Sequence, residues 1–178
     1  MSGEERDRTL YRHSQDYRVR FGDLDTYRHV NNKAFLAYVE DARVRYLVEV
    51  GGFSDHYGGR DGVMVVHVSI DYVSQINPFE RVRVLTRCAR VGGKSFTLHH
   101  LVLAGPETAP ENTPEETATA APPADLPTPP DRLAATAVTV FASVDMRTGR
   151  SCPNKPEMIA RITAYEPRPP EGREKAGP

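Results

Sequence analysis

Apolar positions along this chain change their period twice. In Tyr17-Arg18-Val19-Arg20-Phe21 apolar and basic residues alternate, which predicts a short strand with Tyr17, Val19 and Phe21 inward. From Lys33 the spacing turns helical: Phe35, Val39, Ala42 and Tyr46 form one stripe, and Leu36, Leu47 and Val50 widen it. Asn31 or Asn32 suits the N-cap, because an asparagine oxygen accepts from the N–H groups of the next turn. Gly51-Gly52 is the stop. The expected helix of about 18 residues would be about 27 Å long at 1.5 Å per residue, enough to lie across a whole sheet.

Period two then returns in four stretches rich in Val, Ile, Thr and aromatics. Residues 62–74 carry Met64, Val66, Val68, Ile70 and Tyr72 on one face. Residues 81–89 set Val82, Val84, Thr86 and Cys88 against Arg81, Arg83 and Arg87, and residues 95–104 form a third strand. In 133–146, Ala134, Thr136, Val138, Val140, Ala142 and Val144 alternate. The turns at Asn77-Pro78 and Gly92-Gly93 suit antiparallel connections. One strand, one long helix and four successive strands predict an α+β domain whose helix covers one face of a five-stranded antiparallel sheet.

Residues 1–14 lack periodicity and read as a flexible tail. Residues 105–131 are Pro, Ala, Thr and Glu with hardly a large apolar side chain, so they are expected to form a disordered excursion between two strands. A short helix is expected near 157–161, then a flexible polar tail over 162–178. The single domain is thus 15–161.

Composition narrows the function. With 178 residues, 39% of them apolar, the chain can bury one sizeable core. A net charge of -1 argues against non-specific binding to nucleic acid. The charged N-terminus and the lack of an apolar run near 20 residues predict no secretory signal and no membrane span, hence a cytoplasmic protein. Cys88 and Cys152 lack the spacing of a redox pair, and His56, His67 and His99-His100 lack companion ligands, so reduced thiols and no metal are expected.

The candidate chemistry lies in Arg20-Phe21-Gly22-Asp23-Leu24-Asp25-Thr26-Tyr27-Arg28-His29-Val30-Asn31-Asn32. An acid held near a helix start sits beside unpaired backbone N–H groups, so one short stretch supplies both a carboxylate and an anion-stabilising pole. No Gly-x-Ser-x-Gly elbow is present, which leaves a serine hydrolase unsupported.

Phe21-Gly22-Asp23-x-Asp25, followed by His29-Val30-Asn31-Asn32 and the helix from Phe35 to Arg43, resembles the hotdog-fold acyl-CoA thioesterases of the 4-hydroxybenzoyl-CoA thioesterase group. Ile70-Asp71-Tyr72 and Gly92-Gly93-Lys94-Ser95-Phe96 match more weakly. The resemblance implies a hotdog fold, a homodimer or dimer of dimers with active sites at the subunit interface, and no cofactor beyond the coenzyme A of the substrate. It places the catalytic carboxylate on Asp25 and the backbone N–H that polarises the thioester carbonyl near Asn32. Thr26-Tyr27-Arg28 stands where many members have small, glycine-containing residues.

Asp25 can attack the carbonyl or take a proton from water, and as a plain loop acid it would do neither. Asp23 suits a structural role in the turn or a pairing with an arginine. His29 can donate to substrate or hold loop backbone. Asn31 is a cap with a backbone contribution open to it, Glu40 faces either the substrate channel or solvent, and Ser95 either lines the site or sits in the sheet. Arg87, Arg90 and Lys94, with Arg81 and Arg83 on the same hairpin, can meet the phosphates of coenzyme A or simply form a solvated face. Hydrolysis of a carrier-protein thioester and turnover-free binding of acyl-CoA are the competing functions. A hotdog dehydratase lacks a suitably placed His with a partner acid.

Overall fold

The helix is the axis of the fold. In the structure, a computed structural model that describes residues 1, 3–53, 61–106 and 131–172, it is α1, Asn32–Glu49. Asn31 caps it from an extended backbone, its Oδ1 accepting from the Ala34 N–H at 2.9 Å. Phe35, Val39, Ala42, Tyr46, Leu47 and Val50 are buried, whereas Leu36 is exposed. Each large side chain on that face contributes roughly 1.5–3 kcal/mol of transfer free energy. The helix stops as expected: Gly52 takes φ +73°, a conformation that favours glycine.

An antiparallel sheet curls around α1. Its strands are β1 (His13–Arg18), β2 (Asp61–Tyr72), β3 (Glu80–Val91), β4 (Ser95–Pro106), β5 (Arg132–Asp145) and the two-residue β6 (Arg150–Ser151). They run in the order β1-β3-β4-β5-β2, with β6 paired to β5 as a sixth strand. The first half of α1 packs on Val82, Val84, Val102, Ala104, Ala135 and Ala137. Tyr46, Leu47 and Val50 pack with Cys88, Phe96, Leu98 and Phe141, and with Met158 and Ile162 of α2, Pro156–Tyr165. A long helix wrapped by an antiparallel sheet is the hotdog arrangement.

Several local expectations are corrected. The first strand is His13–Arg18 and not 17–21, because the Arg20 N–H turns back onto Asp23 Oδ2 at 2.8 Å and the chain bends into a 3-10 turn, Phe21–Asp23. Phe21 is left 94% exposed. On β5 the face towards α1 carries Ala135, Ala137, Thr139 and Phe141, while Val138 and Val140 of the alternating set lie half-buried on the other face. On β2 the register against β5 slips between Val65 and His67. That bulge divides the expected stripe, so Val68, Ile70 and Tyr72 line the space beside α1 while Met64 and Val66 face outward, exposed.

Both expected tails are partly docked. Leu10 and Tyr11 are buried on the outer sheet face with Leu85, Leu101 and Leu103. At the other end, α2 outruns the helix expected over 157–161. Beyond it Glu166 is buried and accepts from the Tyr46 hydroxyl and from the Cys88 N–H, and Glu171 bridges Arg90. The sequence reading failed here because a few apolar residues at the right spacing, Leu10-Tyr11 and Met158 with Ile162, suffice to dock a polar segment. Most of the stretch expected to be disordered, residues 107–130, lies outside the described residues, as do 54–60 with His56 and 173–178. Among the described residues no helix is long and apolar enough to cross a membrane.

Candidate active site at the start of the long helix

Two aspartates shape the loop that enters α1. Asp23 Oδ2 accepts from the Arg20 N–H and, at 2.7 Å, from the Tyr38 hydroxyl, while its carbonyl accepts from the Asn31 N–H at 2.8 Å. Asp23 therefore straps loop to helix, and its expected arginine partner is replaced by Tyr38. Burial, then the hydrogen bond and charge of Asp23, push the Tyr38 phenol well above its ordinary range. Tyr17 stacks on Tyr38 with ring centroids 5.3 Å apart and donates to Asp41 at 2.9 Å.

Asp25 ties up the loop's own tip. Its Oδ1 accepts from the Tyr27 N–H at 2.8 Å and the His29 N–H at 3.1 Å, and its N–H donates to the His29 carbonyl at 2.8 Å. Arg28, at φ +62°, makes the tight return possible. Both acceptor bonds fall on Oδ1; among the described residues none is made by Oδ2. His29 serves the loop through its backbone. Three residues later the chain enters α1, where the N–H groups of Asn32 and Lys33, the first two of the helix, have no acceptor within it.

Two cavities meet at Asn32. One, about 370 Å³, runs past Phe35 and Tyr72 to Ser74 and Gln75. The other, about 550 Å³, lies between α1 and β2 and reaches Glu40 and Arg43. Asp25 lines neither. A carboxylate, a histidine, a helix pole and a groove are thus gathered at one end of the helix.

The remaining candidates lie elsewhere in this chain. Arg87 is buried on the outer sheet face, its guanidinium 5.6 Å from the Tyr11 ring, so it packs the N-terminal segment instead of a solvated face. Arg90 and Lys94 are exposed near the β3–β4 turn. Ser95 pairs with Ala142 on β5, whereas Tyr72 pairs with Ala135, seven residues away; at 3.3 Å per residue that is about 23 Å. Asn32 and Glu40 line one cavity, and Asp25, His29 and Asn31 lie on the loop that leads into the same helix; Ser95, Arg87, Arg90 and Lys94 lie apart from them. Tyr38 and Arg43 were not singled out beforehand. For Arg43 a signal existed: eleven residues after Asn32 is three turns, which puts an arginine on the same helix face.

With this geometry in place, the likeness to known proteins is specific. A family model described as the thioesterase-like superfamily matches residues 19–162. The chain belongs to the thioesterase-like superfamily. That membership supports thioester hydrolysis as the general activity. A thioesterase from Thermus thermophilus, solved with coenzyme A and Zn, is 28% identical with a TM-score of 0.66, covering 90% of this chain and 98% of its own. The PA5185 protein of Pseudomonas aeruginosa strain PAO1 is 25% identical with a TM-score of 0.68, covering 89% and 94%. The uncharacterized protein YsmA of Bacillus subtilis (strain 168) is 31% identical over 83 residues, 47% of this chain and 55% of that relative, so the match spans about half of that relative's length. Among the described residues no three His, Cys, Asp or Glu side chains are grouped so as to hold a metal ion.

Proposed function

We propose that the protein hydrolyses an acyl-CoA thioester to a free carboxylic acid and coenzyme A, as a member of the 4-hydroxybenzoyl-CoA thioesterase group. The observation that carries this reading is the loop, held by the Asp25 carboxylate, that leads into the open N–H groups at the start of α1, where Asn32 lines a groove. Asp25 acts as nucleophile or general base through Oδ2. The Asn32 N–H polarises the thioester carbonyl, and one such donor is worth about 100 to 1,000-fold in rate. His29 and Asn31 hold the loop and the helix start. The thiolate needs little protonation to leave, so no further acid is required. Coenzyme A is part of the substrate, which the coenzyme A bound in the Thermus relative supports, and the reading calls on no other cofactor.

The working unit is a homodimer or a dimer of dimers. Supporting this, β2 is a sheet edge with Met64, Val65 and Val66 exposed, and α1 exposes Leu36, Val44 and Val48. A partner subunit is also the means by which Arg90, Lys94 and Ser95, remote within one chain, reach the nucleotide or the acyl group.

One observation favours a second reading. Asp25 spends Oδ1 on its own loop and lines neither cavity, as it would in a module that binds acyl-CoA without turnover. The deciding experiment follows thiol release from a panel of acyl-CoAs by the wild type, Asp25→Ala and Asp25→Asn. A loss of about a hundredfold or more in both variants, with folding and binding intact, supports hydrolysis by Asp25. Binding without release supports the sensor. Variants as fast as wild type remove Asp25 from the mechanism, and competition by carrier-protein thioesters tests that alternative donor.

A further inference from the structure

The larger cavity ends on an arginine that thioester hydrolysis does not require. Arg43 follows Asn32 by eleven residues, three helical turns, so the two share a face with Cα positions about 16 Å apart. Between them Leu36 faces Val68 and Ile70 of β2, which gives the groove an apolar middle. Arg43 is only 8% exposed. Its Nη2 donates to Glu40 Oε1 at 3.0 Å, while Nη1 is fully buried and has no acceptor among the described residues.

The surroundings do not neutralise this charge. Phe141 offers its ring 5.9 Å from the guanidinium carbon. His100 is held between the hydroxyls of Thr86 and Thr139, and burial, then the charge of Arg43, push its pKa down to about 3, so it stays neutral. Among the described residues Glu40 is the one acid paired with Arg43, but its side chain is 61% exposed and water screens the pair. A buried guanidinium N–H without an acceptor has lost its water and gained nothing in return, and an incoming oxygen restores that bond.

Building on the thioesterase reading above, we propose that Arg43 is the distal subsite for the acyl group and takes a terminal carboxylate, so that half-thioesters of dicarboxylic acids are the substrates. The groove has N–H donors at both ends and hydrocarbon between them. A complementary molecule carries a thioester carbonyl at Asn32, a methylene chain past Leu36, Val68 and Ile70, and a carboxylate at the Arg43 guanidinium, which turns to bring the buried Nη1 to the groove. Glu40, on its exposed stem, swings into water to free Nη2 for a bidentate pair.

The test compares ω-carboxyacyl-CoA thioesters with methyl-terminated ones of equal length, in wild type and Arg43→Met, which keeps an unbranched stem against Phe141. Two readouts are taken: kcat/KM for thiol release, and calorimetric affinity for non-hydrolysable thioether analogues. In wild type both should favour the carboxylate by about ten- to a hundredfold at one chain length. In Arg43→Met that ratio should collapse towards one, with the variant's folding checked by its melting midpoint. An affinity ratio near one in wild type overturns the subsite, whatever happens to hydrolysis. Equal losses for both substrate series in Arg43→Met, accompanied by dissociation of an oligomer, also overturn it and assign Nη1 to a second copy of the chain. Preferential binding of the carboxylate series without thiol release by wild type overturns the hydrolytic reading and leaves the Arg43 subsite standing.

Discussion

The two ends of α1 are built on opposite principles. At the first turn, Asn32 and Lys33 present unpaired N–H groups to a groove, and the preceding loop is exposed and held by the hydrogen bonds of Asp23 and Asp25. In the last turns, Tyr46, Leu47 and Val50 are sealed beneath α2, and the Tyr46 hydroxyl is satisfied by the buried Glu166. One end keeps polar backbone open to a visitor; the other spends its polar groups on holding the fold. Reactivity and stability should therefore separate along a single helix.

The strongest challenge to that separation is a pair of substitutions. Asp25→Asn should lower thiol release about a hundredfold or more with the melting midpoint kept. Glu166→Ala strands the Tyr46 hydroxyl and the Cys88 N–H and should cost about 2–3 kcal/mol in urea unfolding, with turnover per folded molecule preserved. A large rate loss in the second variant at full folding would break the comparison.

Acid should reach the sealed core next. His100 sits near pKa 3 when folded against 6.5 in the unfolded chain, and burial lowers His13 and His99 in the same direction. The unfolded chain binds more protons between those values, so stability is full above about pH 6.5 and drains as pH falls towards 3. Glu166 has the opposite sign: burial raises its folded pKa, so its contribution is full below 4.5 and is lost as pH rises through the folded value. From His100 alone, urea midpoints should show about 2 kcal/mol lost between pH 6.5 and about pH 5, a slope that His100→Gln flattens.

Smaller effects sharpen the open end. Asn31→Ala removes the cap on the Ala34 N–H and should cost about 1 kcal/mol, read by thermal unfolding. Tyr38→Phe frees Asp23 from the helix and should cost about 0.5–1.5 kcal/mol. Its rate loss should appear in kcat more than in KM if the strap positions the loop.

The helix was legible because each signal for it is local: the cap oxygen, the stripe from Phe35 to Tyr46 and the glycine stop act within a few residues. The part Asp23 plays in the turn was legible for the same reason. The face of β5 was not, since Ala134 to Val140 is small or β-branched on both sides and alternation carries no polar contrast. The β2 bulge at Val66 leaves no mark in a run of valines. Arg87, Arg90, Lys94 and Ser95 share a hairpin in sequence, but their distance from Asp25 is a property of sheet order, which a one-dimensional reading does not contain. The same holds for Glu166, whose burial depends on a tail folding back across 120 residues to Tyr46.

Cys88 adds a consequence of its own. Its thiol is fully buried, and burial with the charge of Glu166 pushes its pKa up to about 12, while Cys152 is half-buried at the other end of the sequence. A dye that counts sulfhydryls reacts with thiolate, so Cys152 is consumed early and Cys88 only when sheet and helix part. The reagent that follows coenzyme A release thereby also keeps time on the protein, its slow second equivalent marking how frequently the core breathes.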